Sequence, residues 1–177
     1  MFVLQAPDDA ARIFEFYKTI SGISFALLGL WWVALELRYK DWEESPSARR
    51  HAYGVMLFFL LPGLMSLFAL IDGAGTWWRV VFSLTALLGL AEIALYYANP
   101  HDQRRTADFL RVAGLAVYVL VLVFAIRPLI ARDLGLGLSG LQVEAVLTGA
   151  LIVIGVHLAF LAMTEHQLAA TTTSPPT

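Results

Sequence analysis

Apolar positions along this chain fall in long unbroken runs, and polar positions collect between them. Five runs reach the roughly 20 mostly apolar residues that a bilayer-spanning helix needs. They cover about Thr19–Leu37, Ala52–Ile71, Trp77–Ala98, Val112–Ala131 and Leu141–Met163. The runs lack the period-two alternation of a membrane barrel strand. Backbone groups in lipid must also bond within their own segment. The pattern therefore predicts an all-α integral membrane protein, a bundle of five transmembrane helices in which residues 1–170 form one domain. Positions 171–177 are Thr, Ser and Pro only and are expected to be disordered.

The polar stretches read as connections. Tyr39–His51 carries Glu43, Glu44, Ser45, Pro46 and Ser47, and marks a loop. Asp72-Gly73-Ala74-Gly75-Thr76 is a tight turn. Asn99 and Pro100 stop the third helix, because proline restricts the residue before it and cannot continue a helix. Arg132–Gly140 holds Gly135, Gly137 and Gly140 and reads as a short interfacial loop. At the other end, Asp8 or Asp9 can cap a helix that runs through Arg12, Phe16 and Lys18 into the first span.

Composition sharpens this picture. Apolar types make up 59% of the 177 residues and charged types only 15%. A soluble domain of this size cannot hide that much apolar surface. Twelve basic and 14 acidic residues leave a net charge of −2, so no basic surface for nucleic acid is expected. With no cysteine, disulfides, thiolate metal sites and thiol catalysis are absent. No lysine lies mid-span, which excludes a retinal Schiff base, and no pair of the four histidines has metal-ligand spacing. GxSxG, HExxH, Walker A and GxGxxG motifs are missing. The chain is therefore expected to be no enzyme, with no catalytic residue, cofactor or metal.

Orientation follows from Lys and Arg. The first loop, with Arg38, Lys40, Arg49 and Arg50, is the richest in positive charge. The positive-inside rule then places the N-terminus outside and the C-terminus in the cytoplasm of a cell inner (plasma) membrane.

A charge within a span costs about 2.5–3.5 kcal/mol on insertion scales, so each one needs a partner or a wet cavity. Glu92, Arg111 and His157 all fall in the cytoplasmic half of their spans when antiparallel helices are aligned. One reading is a Glu92–Arg111 pair with His157 nearby, facing the interior and lining an ion or proton path. The other is a structural ion pair that fixes helix register. On the opposite side, Asp72–Arg79 and Arg127–Glu144 are candidate interfacial pairs, with snorkelling to headgroups as the simpler account.

Small residues mark helix contacts. Gly22 and Gly29 are seven apart on the first helix. Thr85, Gly89, Glu92 and Tyr96 form a lane on the third, and Glu144, Thr148, Leu151 and Gly155 form one on the fifth. Pro62-Gly63, midway along the second helix, predicts a hinge or kink. Ala26–Leu30 recurs as Ala86–Leu90 at an offset of 60 residues, either as a repeat of two helical hairpins or as a chance match of Leu/Ala/Gly-rich sequence; chance is the preferred reading.

Two functional expectations follow. One is a small channel or transporter subunit, a homo-oligomer in the lipid bilayer, with Glu92, Arg111 and His157 as its polar lining. The other is a non-catalytic accessory subunit that packs against other membrane subunits of an electron-transfer or transport complex.

Overall fold

The computed structural model describes residues 7–37, 46–72, 76–98 and 105–172. Residues 39–45 of the expected 39–51 loop, the glycine turn at 73–75, the stretch at 99–102 and the tail from 173 lie outside these residues; residues 46–51, also expected as loop, are instead helical. Every regular element among the described residues is helical: α1 (Pro7–Leu37), α2 (Pro46–Asp72), α3 (Trp77–Tyr97), α4 (Arg105–Ile126), the one-turn α5 (Ile130–Asp133) and α6 (Gly140–Thr172). Five of them are long and apolar enough to cross a membrane.

Most ends differ from the apolar runs, for local reasons. The helices α1, α2 and α6 extend past their apolar cores because nothing in the flanking polar residues interrupts backbone bonding. The fourth helix stops earlier than expected, at Ile126 rather than Ala131. Pro128 lacks an N–H and pushes Arg127 out of helical geometry. The chain then makes one turn of α5, which Gly135 closes with φ +67°. The Gly135 N–H donates to the Arg132 carbonyl and the Leu136 N–H to the Ala131 carbonyl, a glycine C-cap. Next, Ser139 and Gln142 form a reciprocal capping box. The Gln142 N–H donates to Ser139 Oγ at 3.2 Å, and the Ser139 N–H donates to Gln142 Oε1 at 2.7 Å. This box fixes where α6 begins, and so sets the depth of Glu144.

Helix α2 is the centre of the bundle. It packs against α1, α3 and α6, while α6 also packs against α4 and α1. Half of the apolar window of α2 is buried, against 17% for α1. Pro62 and Gly63 lie inside α2, which runs through them as one helix. Proline removes one backbone donor there, leaving the Phe58 carbonyl without its usual partner. Gly63 gives room to α1, since a Cβ at that position would stand 3.1 Å from the Ser24 Cβ.

The interior is built from large aromatics set against glycines. Tyr17, Phe58, Phe59, Phe82 and Tyr118 are all buried. The Tyr118 ring lies against Gly89, the Phe58 ring against Gly114, and Phe58 and Phe59 against Gly155. Small residues on one helix thus receive rings from the next, the close approach that membrane helices favour. Gly89 and Gly155, two of the glycines expected at helix contacts, are among the positions that these rings lie against.

Gly22 and Gly29 are different and correct the expectation. Both are exposed, and nothing among the described residues comes within 4 Å of a Cβ built on either. Helix α1 buries its other face, carrying Tyr17, Ser21, Ser24 and Trp31, with the Trp31 indole N–H donating to the Ala52 carbonyl at 3.0 Å. Gly29 and its counterpart Gly89 in the 60-residue match therefore sit in unlike surroundings.

Candidate functional site

Large apolar side chains cover the exterior, and a few polar ones lie within the mostly apolar interior. Leu30, Trp32, Leu88, Phe109, Val146 and Phe160 are exposed, whereas Ser24, Ser66, Thr85, Arg111, Glu144 and Thr148 are buried. One face of α3 orders the interior. Phe82, Thr85, Gly89, Glu92 and Tyr96 recur at steps of three and four residues, which stacks them along one side of a helix. From Phe82 to Tyr96 this face runs about 21 Å at a rise of about 1.5 Å per residue.

At the Tyr96 end lie two of the residues expected from sequence. Arg111 is buried, with its guanidinium carbon 3.6 Å from the centre of the Tyr96 ring. That is a cation–π contact, made on the flat face that carries the ring's negative charge. The His51 imidazole of α2 also packs on Tyr96, at 5.4 Å between ring centres and tilted by 42°. The Tyr97 hydroxyl donates to the Asp108 carbonyl at 3.3 Å, tying the end of α3 to the start of α4.

Glu92 is half-buried, and a Cβ on Gly54 would stand 3.5 Å from its Oε1. Glu92 and Arg111 are within electrostatic reach of one another, and Arg50 also reaches Glu92. Among the described residues, however, Glu92 and Arg111 form no ion pair within 4.0 Å. Arg111 is held by the aromatic face instead, and one of its terminal nitrogens has no hydrogen-bond partner among the described residues. Tyr96→Leu is accordingly expected to lower stability by about 1–2 kcal/mol. Tyr96→Phe, which keeps the ring, should retain most of it. Reversible unfolding in mixed detergent micelles measures both.

His157 is not part of this cluster. It is exposed, and its Nδ1 lies 2.8 Å from the Val153 carbonyl of its own helix. The reason is rotational: α6 buries Glu144, Thr148, Leu151, Gly155 and Leu158. His157 sits two residues, about 200°, beyond Gly155 on that face. Its angle on the helix turns it outward.

At the Phe82 end a carboxyl group turns inward. Glu144 is fully buried, at 0% exposure, and neither carboxyl oxygen has a hydrogen-bond partner among the described residues. It therefore neither pairs with Arg127, its candidate partner, which is exposed, nor reaches outward as the snorkelling account expected. The Asp72 side chain lies outside what the structure describes. Arg79 turns to the end of α4, where its Nε donates to the Ala125 carbonyl at 2.8 Å and a terminal nitrogen donates to the Ile126 carbonyl. These are carbonyls that the helix end leaves unpaired. Tyr17 of α1 is within electrostatic reach of Glu144, and its hydroxyl donates to the Leu141 carbonyl at 2.9 Å. The Tyr17 ring packs edge-on against Phe82, which packs edge-on against Trp78. One turn further into α6, the Thr148 hydroxyl donates to the Glu144 carbonyl at 2.7 Å.

Tyr118 lies between the two ends. Its ring rests on Gly89 and beside Phe58, and its buried hydroxyl is without a partner among the described residues. The Ser24 and Ser66 hydroxyls are buried and unpartnered in the same way. The lane readings for α3 and α6 were the sequence signals that pointed to this interior. The exact partnering of Glu144 was not among them. No group of three or more His, Cys, Asp or Glu side chains that could hold a metal ion occurs among the described residues.

No curated protein and no solved structure matches the chain. A family model does, over residues 43–131, which include α2, α3 and α4 with Glu92 and Arg111 but not Tyr17 or Glu144. The chain belongs to that family, a family of unknown function designated DUF8011.

Proposed function

We propose that this protein is a small multi-pass membrane transport protein, an ion channel or transporter subunit, embedded in the lipid bilayer of the plasma membrane. One observation carries the reading: polar groups recur along the bundle interior, from the buried Glu144, Thr85 and Tyr118 to the half-buried Glu92 and the buried Arg111. Polar groups inside lipid are costly and mark ion or proton pathways in membrane proteins. The apolar outer surface supports insertion, because an exposed apolar surface of this extent is not stable in water. The Arg- and Lys-rich first loop supports a cytoplasmic C-terminus. With no native cysteine, single cysteines placed in the 132–138 loop and in the tail can report this. Labelling of the loop from outside intact cells, and of the tail only after lysis, is the expected pattern; the reverse pattern refutes the orientation.

The interior is filled by rings, so passage requires a change in helix packing or a second copy of the chain, and a homo-oligomer is part of the proposal. The test is reconstitution into liposomes carrying a pH-sensitive dye, with proton or monovalent-cation gradients applied. Flux should fall roughly tenfold or more in Glu144→Gln, a change in barrier of about 1.4 kcal/mol or more. Absence of flux in a correctly inserted wild type would sink the reading. It would favour the alternative of an accessory subunit, which co-purification with other membrane subunits after gentle extraction would reveal.

A further inference from the structure

We infer that Glu144 is a proton-binding site, a carboxyl that the bundle holds as a neutral acid and that exchanges its proton toward the side of the membrane where α6 begins. The inference deepens the transport reading and rests on it for the use made of the proton. The site itself stands on geometry.

Glu144 has no exposed surface, and neither carboxyl oxygen has a partner among the described residues. Beside it, Tyr17 of α1 is within electrostatic reach and packs edge-on against Phe82 of α3, and both rings are buried. Tyr17 is the titratable member of this pair, and its proton is committed to the Leu141 carbonyl. The described charged groups at this end are turned elsewhere. Arg79 bonds to the carbonyls that end α4, while Arg127, Arg132 and Asp133 are exposed.

A lone carboxylate in such surroundings needs one positive charge. Burial of an isolated ion in an apolar medium is so unfavourable that the group takes up a proton instead. A metal ion is a poorer answer, since hard cations demand about six or more oxygen ligands. The neighbouring hydroxyls of Tyr17 and Thr148 are already committed as donors to backbone carbonyls.

The chemistry is a simple transfer. One O–H bond forms on a carboxyl oxygen, the charge goes from −1 to zero, and release returns the proton to water at the membrane face. Glu144 lies about 6 Å from the start of α6, at about 1.5 Å per residue. That start is set by the Ser139–Gln142 capping box and is preceded by the exposed 132–138 loop. The other end of the bundle is farther away, behind the Tyr118 ring.

Infrared spectroscopy of the full chain in lipid vesicles tests this, because a protonated carboxyl in apolar surroundings has its own carbonyl stretch. Wild type at neutral pH should show that band. Glu144→Gln should lose it, Glu144→Asp should shift it, and Glu92→Gln should leave it in place. Absence of the band, its persistence in a folded Glu144→Gln protein, or its loss when sodium replaces an organic cation would overturn the inference. The band present without proton flux would defeat the transport reading while leaving the proton site intact.

Discussion

Gly89→Val should lower the stability of the folded bundle by about 3 kcal/mol, the upper part of the range for overpacked cores. A Cβ at this position would overlap the Tyr118 ring, with ring carbons at 2.4 to 2.6 Å. The ring cannot yield easily. Tyr118 is buried, and Phe58 packs on it at 5.7 Å between centres. Phe58 is itself pressed against Gly114 and Gly155, so a shift at Gly89 spreads through α3, α4, α2 and α6. Equilibrium unfolding in mixed micelles measures the effect. Gly29→Ala is the control, with an expected change within about 0.5 kcal/mol, as for surface substitutions. Adding Tyr118→Ala to Gly89→Val should recover part of the loss, because the two positions share one contact. Equal effects at Gly29 and Gly89 would mean that the glycines matter through backbone freedom and not through the ring.

The five helices and their order were legible in the sequence because lipid-compatible segments must be long, apolar and helical. The interior faces of α3 and α6 were also legible, as lanes of polar and small residues at steps of three and four. Which face of α1 turns inward was not. Gly22 and Gly29 offered one surface and Tyr17, Ser21, Ser24 and Trp31 another, and the choice depends on what α2 presents, which is not local information. Rotation about a helix was harder to read than position along it. His157 is two residues off the inward face of α6. Glu144 read as an interfacial group, paired with Arg127 or reaching headgroups, although its own lane with Thr148, Leu151 and Gly155 already pointed into the bundle. The expected Glu92–Arg111 pair fell short for a similar reason. Arg111 is long enough to reach Glu92, but the Tyr96 face is nearer and flat enough to receive it.

Glu144→Met should make the protein more stable and abolish proton movement. A buried polar group left without a partner costs about 1–3 kcal/mol. A near-isosteric apolar side chain removes that cost and keeps the side-chain volume at this buried position. The expected gain is therefore about 1–3 kcal/mol in mixed-micelle unfolding. Proton flux in liposomes should fall to the level of protein-free vesicles. The opposite result, a less stable Met variant, would show that the carboxyl holds the helices together through a partner that forms only in the membrane. A gain in stability with flux unchanged would place the pathway elsewhere, at the Glu92 and Arg111 end. The combination expected here, stability raised and transport lost, is the mark of a residue kept for what it does and not for the fold. The bundle can carry it because the glycine–ring contacts around Gly89, Gly114 and Gly155 supply the cohesion that one unpaired acid takes away.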